Sequence, residues 1–523
     1  MRTHRCFIAG AVMAGVLVSD ADASASTTQE NLTKYNALRT RLTTQFMAVG
    51  EGPGESQPAT ERNDGQGFIK WSDGTINLGW YLGVLATEHA IRSQPTVYPG
   101  ATNNDPKAAD KTLDELYAAL VALERLDRVA DSAFPSPCSQ TPSVNGFFLR
   151  DDVPAGFHQR FPPLTSTQSD FIDPVLTNKE MSQDQVYHVL LGLALVKHLV
   201  PASATVKGKV LKTWAADQST RIGQHFATGT WTIKNPACGN RTVNRGGQAG
   251  GYAAGTKLAF SFLSDGTYAP SAPIDLWSTL RNPSNPTYND ADNLHMALAI
   301  AAVGDGWGAT TAEDLATLAA KQDWVLYPIL HRVLHGTTAS AFCQKTGAAL
   351  NSRARTMLDE LPLGAEPANP RPGPAAVHGF TASNRFIRGK DQHYVGQPGG
   401  EGMRYSGNDF LLLHNLYALA TPAIWTEGVG VAPCATPKGG STSSSGGASS
   451  SGASGGPTTT PTPGSSSGDE ATNPEAAKAG GDDASPGCNV GVVRGGGVGV
   501  LTSVIALLVA WRRRRAVRRS GDS

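Results

Sequence analysis

The amino-acid sequence predicts an all-α fold, and more specifically an (α/α) toroid of repeated helical hairpins. Apolar residues recur mainly at three and four positions, as on one face of a helix, and few stretches alternate as strands do. Segments that mix Gly with acids, amides or aromatic residues come directly before several predicted helices. In repeated hairpins alternate helices line the inside, so we expect these segments to gather at one end and supply the functional residues.

The individual helices follow from the spacing of the apolar residues. The helix from residue 183 has the clearest start, because Ser182 followed by Gln185 is a capping box, and Ser406 followed by Asp409 is a weaker start signal. Two short segments, 146–149 and 229–233, are predicted as β-ribbons in loops. The predicted helices cover residues 29–48, 77–93, 108–130, 183–200, 207–227, 250–263, 292–303, 312–334, 339–361 and 408–419.

Both ends of the chain predict export and attachment to a membrane. Residues 1–25 have the form of a signal peptide, with basic residues before an apolar stretch and small residues that offer cleavage after Ala23 or Ala25. The apolar run 495–511 would make a helix of about 25 Å, close to the lower limit for crossing hydrocarbon. The arginines that follow it are typical of the cytoplasmic side: Arg512, Arg513, Arg514, Arg515, Arg518 and Arg519.

Composition divides the rest of the chain into a folded part and a spacer. Residues 27–435 carry the periodic pattern, and their length is compatible with one domain or two. Residues 436–486 are dominated by Ser, Gly, Thr and Pro, which bury no core, so we predict a disordered linker. Residues 487–523 then form a C-terminal sorting and transmembrane segment.

The tail also resembles a known sorting signal. Gly487 and Cys488, followed by the glycine-rich apolar run and the arginines, are similar to the MYXO-CTERM tails of myxobacterial surface proteins. In that family a dedicated intramembrane enzyme recognises and processes the tail. The resemblance is confined to this segment and implies that Cys488 is a processing or anchoring residue. An ordinary single-pass anchor with an incidental cysteine is the alternative.

Charge and cysteine content exclude some classes of protein. The chain carries 44 basic and 44 acidic residues, and the basic tail leaves the exported part mildly acidic. Because nucleic-acid binding needs a concentrated basic surface, we expect no such partner. The sequence contains no CxxC motif, so we do not expect a zinc ribbon. Because the chain is expected to be exported, we predict two disulfides among Cys138, Cys238, Cys343 and Cys434. The sequence leaves their pairing open.

Two carboxyl groups are the basis for predicting hydrolysis. Cleavage of a glycosidic bond uses one carboxyl group to protonate the leaving oxygen and another to activate water or attack directly. Asp184 and Asp73 are the candidate catalytic pair, and the alternative is that both only favour helix N-termini through the helix dipole. The predicted substrate-binding residues are Trp71 and Trp80, which could stack on a sugar, with Gln185, His188, Asp292, Arg404 and Tyr405.

Other chemistries need other residues. A uronate lyase would use His188 or Tyr187 as the base, with Arg404 to hold the acid. No metal site is predicted, because the run HRVLH lacks the glutamate of the HExxH motif. Calcium is left open as a cofactor, since DDVP and NDADN could supply oxygen ligands, although neither matches an EF-hand loop.

The stretches WSDGTINLGWYLGVLATEHAI and MSQDQVYHVLLGLALVKHL resemble helices of six-hairpin glycosidase-like proteins. That group includes unsaturated glucuronyl hydrolases and polysaccharide lyases. The resemblance spans residues 71–417 and concerns the fold, which does not settle function. Taken with the chain ends and the candidate acid pair, it leads us to expect a surface-anchored glycoside hydrolase acting on extracellular polysaccharide. A uronate lyase and a non-catalytic surface module that binds glycan or protein are the alternatives.

Overall fold

The structure is mostly helical and also contains two small sheets. In the described residues, helices account for 55% and strands for 8%, so the helical prediction is confirmed and its all-α form needs correction. All described residues belong to a compact unit, Met1–Thr442, and a second unit covers Ser443–Ser523. The computed structural model describes residues 28–133, 144–235, 242–243, 257, 259–268, 329–330, 333, 354–359, 361, 363–364 and 402–420.

Several predictions lie outside the described residues: the signal peptide, the linker, the apolar run 495–511, Gly487, Cys488 and Asp292. The same holds for the cysteines Cys138, Cys238, Cys343 and Cys434. Among the residues that are described, no helix has both the length and the apolar character needed to cross a membrane.

Six long helices organise the described part of the chain. They are α1 (Thr28–Arg41), α2 (Gly74–Arg92), α3 (Ala108–Ala130), α4 (Gln183–Leu199), α5 (Leu211–Thr228) and α6 (Asn408–Ala420). A π-helical turn, Leu42–Phe46, extends α1, and short 3₁₀ turns cover Asp131–Ala133, Phe157–Arg160 and Leu176–Asn178. Within the predicted helices 250–263, 312–334 and 339–361, the helical residues described are 257, 259–263, 329–330, 333 and 354–359.

The predicted capping box begins α4. The side chain of Gln185 accepts a hydrogen bond from the backbone N–H of Ser182 at 3.2 Å. In return, the Ser182 side chain accepts from the backbone N–H of Gln185. Two of the N–H groups that a helix start leaves unpaired are satisfied in this way. The start of α4 is therefore fixed locally.

Helices α2 and α4 pack side by side and run in the same direction. Gln185, in the first turn of α4, contacts Asp73 immediately before α2, and Leu195 lies against Gly83 almost three turns later. The two backbones approach very closely at Gly79 of α2. A Cβ atom placed there would lie 2.3 Å from the backbone carbonyl of His188, so glycine is required.

Helix α6 lies on the other flank of α2 and is also parallel to it. Ser406, just before α6, bonds Asn77 near the start of α2, and Asn415 bonds the backbone oxygen of Val84 farther along. The order of neighbours is therefore α4, α2, α6. The last described helix thus packs beside the second one.

Helices α1 and α3 run antiparallel to this group. Along α1, Tyr35 stacks on His414 of α6 at 4.6 Å, whereas the later Arg41 donates to the backbone oxygen of Tyr405. Along α3, Thr112 donates to Glu88 and the later Glu115 accepts from the earlier Tyr81. Helix α2 therefore has two parallel neighbours, α4 and α6, and two antiparallel ones, α1 and α3.

Four strands of three residues form one sheet beside the helix starts. They are β1 (Glu61–Asn63), β2 (Phe68–Lys70), β3 (Ser166–Gln168) and β6 (Met403–Tyr405), in the order β3-β2-β1-β6. Strand β1 pairs antiparallel with β2 and β6, with Arg62 opposite Arg404, and β2 pairs parallel with β3. A second ribbon, β4 (Thr205–Val206) with β5 (Lys209–Val210), precedes α5.

The β-ribbons predicted from sequence lie close to short strand contacts. The structure places isolated bridges there, Leu149 with Glu180 and Lys234 with Thr242. The helix predicted from residue 207 begins at Leu211, because β5 occupies the preceding residues.

Candidate acidic site

Asp73 is held in a tight turn between β2 and α2. Its backbone is left-handed, with φ of 63°, a conformation that non-glycine residues adopt rarely. The indole N–H of Trp71 donates to the backbone oxygen of Gln57 at 3.0 Å and anchors the approach to the turn. The Asp73 carbonyl then accepts from Ile76 and starts the helix.

Two distant residues bind the Asp73 carboxylate. Arg150 donates from Nη1 to Oδ1 at 3.2 Å, and Gln185 donates from Nε2 to the same oxygen at 3.0 Å. Arg150 is itself fixed, because its Nε donates to the backbone oxygen of Glu180 at 2.8 Å. Asp73 is thereby tied to α4 and to the loop that follows α3.

The Asp73 carboxyl is recessed and still reachable. The side chain is 46% exposed, yet desolvation by surrounding protein is the largest influence on its pKa, which is raised. The negative charge of Asp184 raises the pKa further, while Arg150 opposes the rise. Part of the Asp73 carboxyl therefore stays open to solvent, while the surrounding protein disfavours its charged form.

Asp184 lies on the same side, in the first turn of α4. Its carboxylate accepts from the hydroxyl of Ser182, and its backbone oxygen lies 2.6 Å from Nδ1 of His188. A carbonyl oxygen only accepts, so Nδ1 of His188 carries the hydrogen. The structure therefore places Gln185 and Asp184 near Asp73.

The predicted aromatic platform is buried. Trp71 packs edge-on against Phe157 at 5.4 Å, and Trp80 packs edge-on against His188 at 5.2 Å. Trp71, Trp80 and His188 are all buried, so neither indole offers a face on which a sugar could stack. In this structure these rings support the helices behind the site.

Arg404 and Tyr405 lie on β6, away from the bonds to Asp73. Arg404 donates to Asp64 and Gln45, and the backbone oxygen of Tyr405 accepts from Arg41. The Tyr405 side chain is buried. These contacts fix the sheet edge, so the two residues form a group separate from the acid pair.

Asp170 is a member of the site that sequence reasoning did not select. Its Oδ2 lies 3.8 Å from Nη1 of Arg150, and its carboxyl interacts with the backbone N–H of Asp73. Burial and the charge of Asp73 raise the pKa of Asp170 to about 6. The stretch TQSDFIDP gives no local signal of this role, which depends on folding across the chain.

Asp151 lies behind Asp170 and is buried. Its Oδ2 accepts from the backbone N–H of Asp170 at 2.9 Å, and its Oδ1 contacts the hydroxyl of Ser169. That hydroxyl also lies 3.0 Å from the backbone oxygen of Val153, and its single hydrogen serves only one of the two. A protonated Asp151 resolves the conflict by donating to Ser169, in agreement with burial raising its pKa to about 7.

The described residues offer no clear calcium ligands. In DDVP, Asp151 is hydrogen-bonded as above and Asp152 is paired with Arg125. Within the described part of the chain, no group of three or more His, Cys, Asp or Glu side chains is arranged to hold a metal ion. The stretch NDADN lies outside those residues.

Comparison with known protein families, with curated proteins and with solved structures found no match to this chain. The site must therefore be judged from its own chemistry. Asp73, Asp170 and Asp151 have raised pKa values, and Asp184 lies beside them. Closely spaced carboxyl groups with raised pKa values are suited to transferring protons near neutral pH.

Proposed function

We propose that residues 27–435 form an (α/α) toroid that hydrolyses extracellular carbohydrate, with Asp73 and Asp184 as the acid pair. One observation carries this proposal. Asp73 accepts from Gln185, the neighbour of Asp184, and the charge of Asp184 raises the pKa of Asp73. Glycoside hydrolysis uses two neighbouring carboxyl groups, and the charge influence of Asp184 on the partly exposed Asp73 supports such a pair here.

The helix directions support the toroid. In such a fold the inner helices are parallel to one another, the outer helices are antiparallel to them, and the final inner helix closes against the first. Helices α4, α2 and α6 are parallel neighbours, and α1 and α3 run antiparallel beside them. The position of α6 against α2 fits closure of a ring.

The chemistry assigns a different role to each acid. Asp73, with its raised pKa, would donate its proton to the glycosidic oxygen as the C–O bond breaks. Asp184 would accept a proton from water as the water oxygen bonds to the anomeric carbon, or would attack that carbon directly. Arg150 and Gln185 orient Asp73 and leave half of its surface open to substrate.

Display at the cell surface is part of the same proposal. The signal peptide would direct export, the 436–486 linker would hold the catalytic unit off the membrane, and the 495–511 helix would anchor it with the arginines in the cytoplasm. A C-terminal processing enzyme would act at Gly487 and Cys488. The support is the order of these segments in the sequence.

The test is turnover by the full-length protein on a panel of neutral and acidic polysaccharides. We expect reducing ends to be released, and Asp73→Asn and Asp184→Asn each to lower kcat/KM by about 10²- to 10⁴-fold. Asp105→Asn, at an exposed ion pair with Lys111, is the matched control. Binding without cleavage of any glycan would instead indicate a binding module. An unsaturated product would indicate a lyase, and either result would overturn the proposal.

A further inference from the structure

Arg150 stands between two carboxyl groups. Its Nη1 is 3.2 Å from Oδ1 of Asp73 and 3.8 Å from Oδ2 of Asp170. Its Nε is occupied by the backbone oxygen of Glu180, so the guanidinium cannot follow either acid freely. The arginine charge is therefore shared, and each acid affects how strongly the other is neutralised.

The turn at Asp73 needs support from outside itself. A left-handed aspartate persists only where its surroundings determine the conformation. Two residues after Asp73, the backbone N–H of Thr75 donates to the backbone oxygen of Arg150 at 2.9 Å. The backbone N–H of Asp73 itself interacts with the Asp170 carboxyl. The Asp170 side chain thus contacts the strained residue itself.

Asp170 is itself rigidly placed. Its backbone N–H donates to the buried carboxyl of Asp151 at 2.9 Å, and the neighbouring Ser169 hydroxyl contacts the same carboxyl. Among the residues that the structure describes, its Oδ2 has no hydrogen-bond partner, so that oxygen acts through its charge. Asp170 is therefore a fixed, half-buried carboxyl group beside a strained catalytic candidate.

We propose that Asp170 is the positioning residue of the acid pair. Its carboxyl engages the Asp73 backbone and shares Arg150, and it thereby holds the Asp73 carboxyl toward Gln185 and Asp184. This role deepens the proposed hydrolase function and rests on it, because positioning Asp73 matters for catalysis only if Asp73 and Asp184 are the acid pair. The placement of Asp73 by Asp170 is a property of the folded protein alone.

The charge around Asp170 fixes the sign of the expected effect. Removing its negative charge lowers the pKa of Asp73, because repulsion disappears and Arg150 then serves Asp73 alone. By the same coupling, removing the Asp73 charge lowers the pKa of Asp170. The charged or titratable groups that act on these two acids are Arg150, Asp184, Asp173, Asp151 and Lys70.

The test is carbon NMR titration of aspartate side chains in the full-length protein, with Asp73 and Asp170 assigned from their Asn variants. We expect Asp170→Asn to lower the pKa of Asp73 by about 1. In Asp170→Ala, the Gln185 side-chain amide resonance should move to its position in Asp73→Ala. Asp105→Asn, which changes an aspartate remote from the site, should alter neither.

An unchanged pKa of Asp73 in a folded Asp170→Asn variant would overturn the proposal. If that variant does not fold, Asp73→Asn decides the question, because coupling requires the pKa of Asp170 to fall from about 6. Neither readout uses turnover. Coupling in a protein that cleaves no glycan would therefore reject the hydrolase and retain the positioning role.

Discussion

Gln185 uses both ends of one amide group to join the starts of two helices. Its Nε2 donates to Asp73 at 3.0 Å, and its Oε1 accepts from the backbone N–H of Ser182 at 3.2 Å. The first bond fixes a candidate catalytic side chain, and the second caps α4. The same side chain therefore serves both the helix and the acid pair.

Replacing this amide should weaken the fold measurably. Gln185→Ala removes the cap and one bond to Asp73, so we expect the free energy of unfolding to fall by about 1 to 2 kcal/mol in urea denaturation. Gln224→Ala, at an exposed position of α5, should change it by less than about 0.5 kcal/mol. Equal stability of the two variants would contradict the double role of Gln185.

The close crossing of α2 and α4 should tolerate no added carbon. Gly79→Ala would place Cβ 2.3 Å from the backbone of His188, and the helices would have to separate. We expect a loss of about 3 kcal/mol or more, measured by thermal or urea unfolding. Gly156→Ala is the matched control, because the nearest atom to its Cβ is 3.9 Å away. A mild effect at Gly79 would show that the two helices pack less closely.

Glu88 should be essential for packing α1 against α2. It accepts from Tyr35, Arg39, Arg92 and Thr112, and its side chain is 2% exposed. Glu88→Gln leaves the buried charge of Arg39 less compensated, so we expect a loss of about 3 to 5 kcal/mol in urea unfolding.

Glu61→Gln is the control for that change, because its pair with Lys70 is partly exposed and should contribute at most about 1 kcal/mol. Similar losses in the two variants would argue against a special role for the buried network.

Asp409 should make stability depend on pH. Burial raises its pKa to about 8, and within the described part of the chain its Oδ2 has no hydrogen-bond partner. Since the folded state holds the proton more tightly than the unfolded chain, this stabilisation is complete below about pH 4 and is lost as the pH rises toward about 8. We expect Asp409→Asn to exceed the wild type by roughly 2 to 5 kcal/mol at high pH and to match it at low pH.

Urea unfolding at a series of pH values checks this difference. Asp110→Asn, at an exposed position of α3, should leave the pH dependence unchanged. A constant gap between Asp409→Asn and the wild type across the series would show that Asp409 does not titrate in this range.

Local signals predicted the long helices well. The bounds of α3 agree with the sequence prediction, and α4 begins where the capping box placed it. The small sheet escaped prediction because three-residue strands are too short to show alternation. Its partners also lie far apart, as in the pairing of Arg62 with Arg404.

The acid pair was predictable in part. Asp73 and Asp184 were found because each lies at the start of an apolar helix. Arg150 and Asp170 were missed because their roles arise only when the loops between α3 and α4 fold over the start of α2. The burial of Trp71 and Trp80 also depends on tertiary packing, which a tryptophan in a sequence does not reveal.

Because α1 packs against α6, the protein cannot finish folding before α6 has been synthesised. Asn415 donates to the hydroxyl of Tyr35 across 380 positions of the chain. Synthesis delivers the N-terminus first, so α1 and α2 must wait with one apolar flank uncovered until α6 emerges. A chain interrupted before residue 402 is consequently an unfinished fold exposed to proteases, not a smaller working version of the protein.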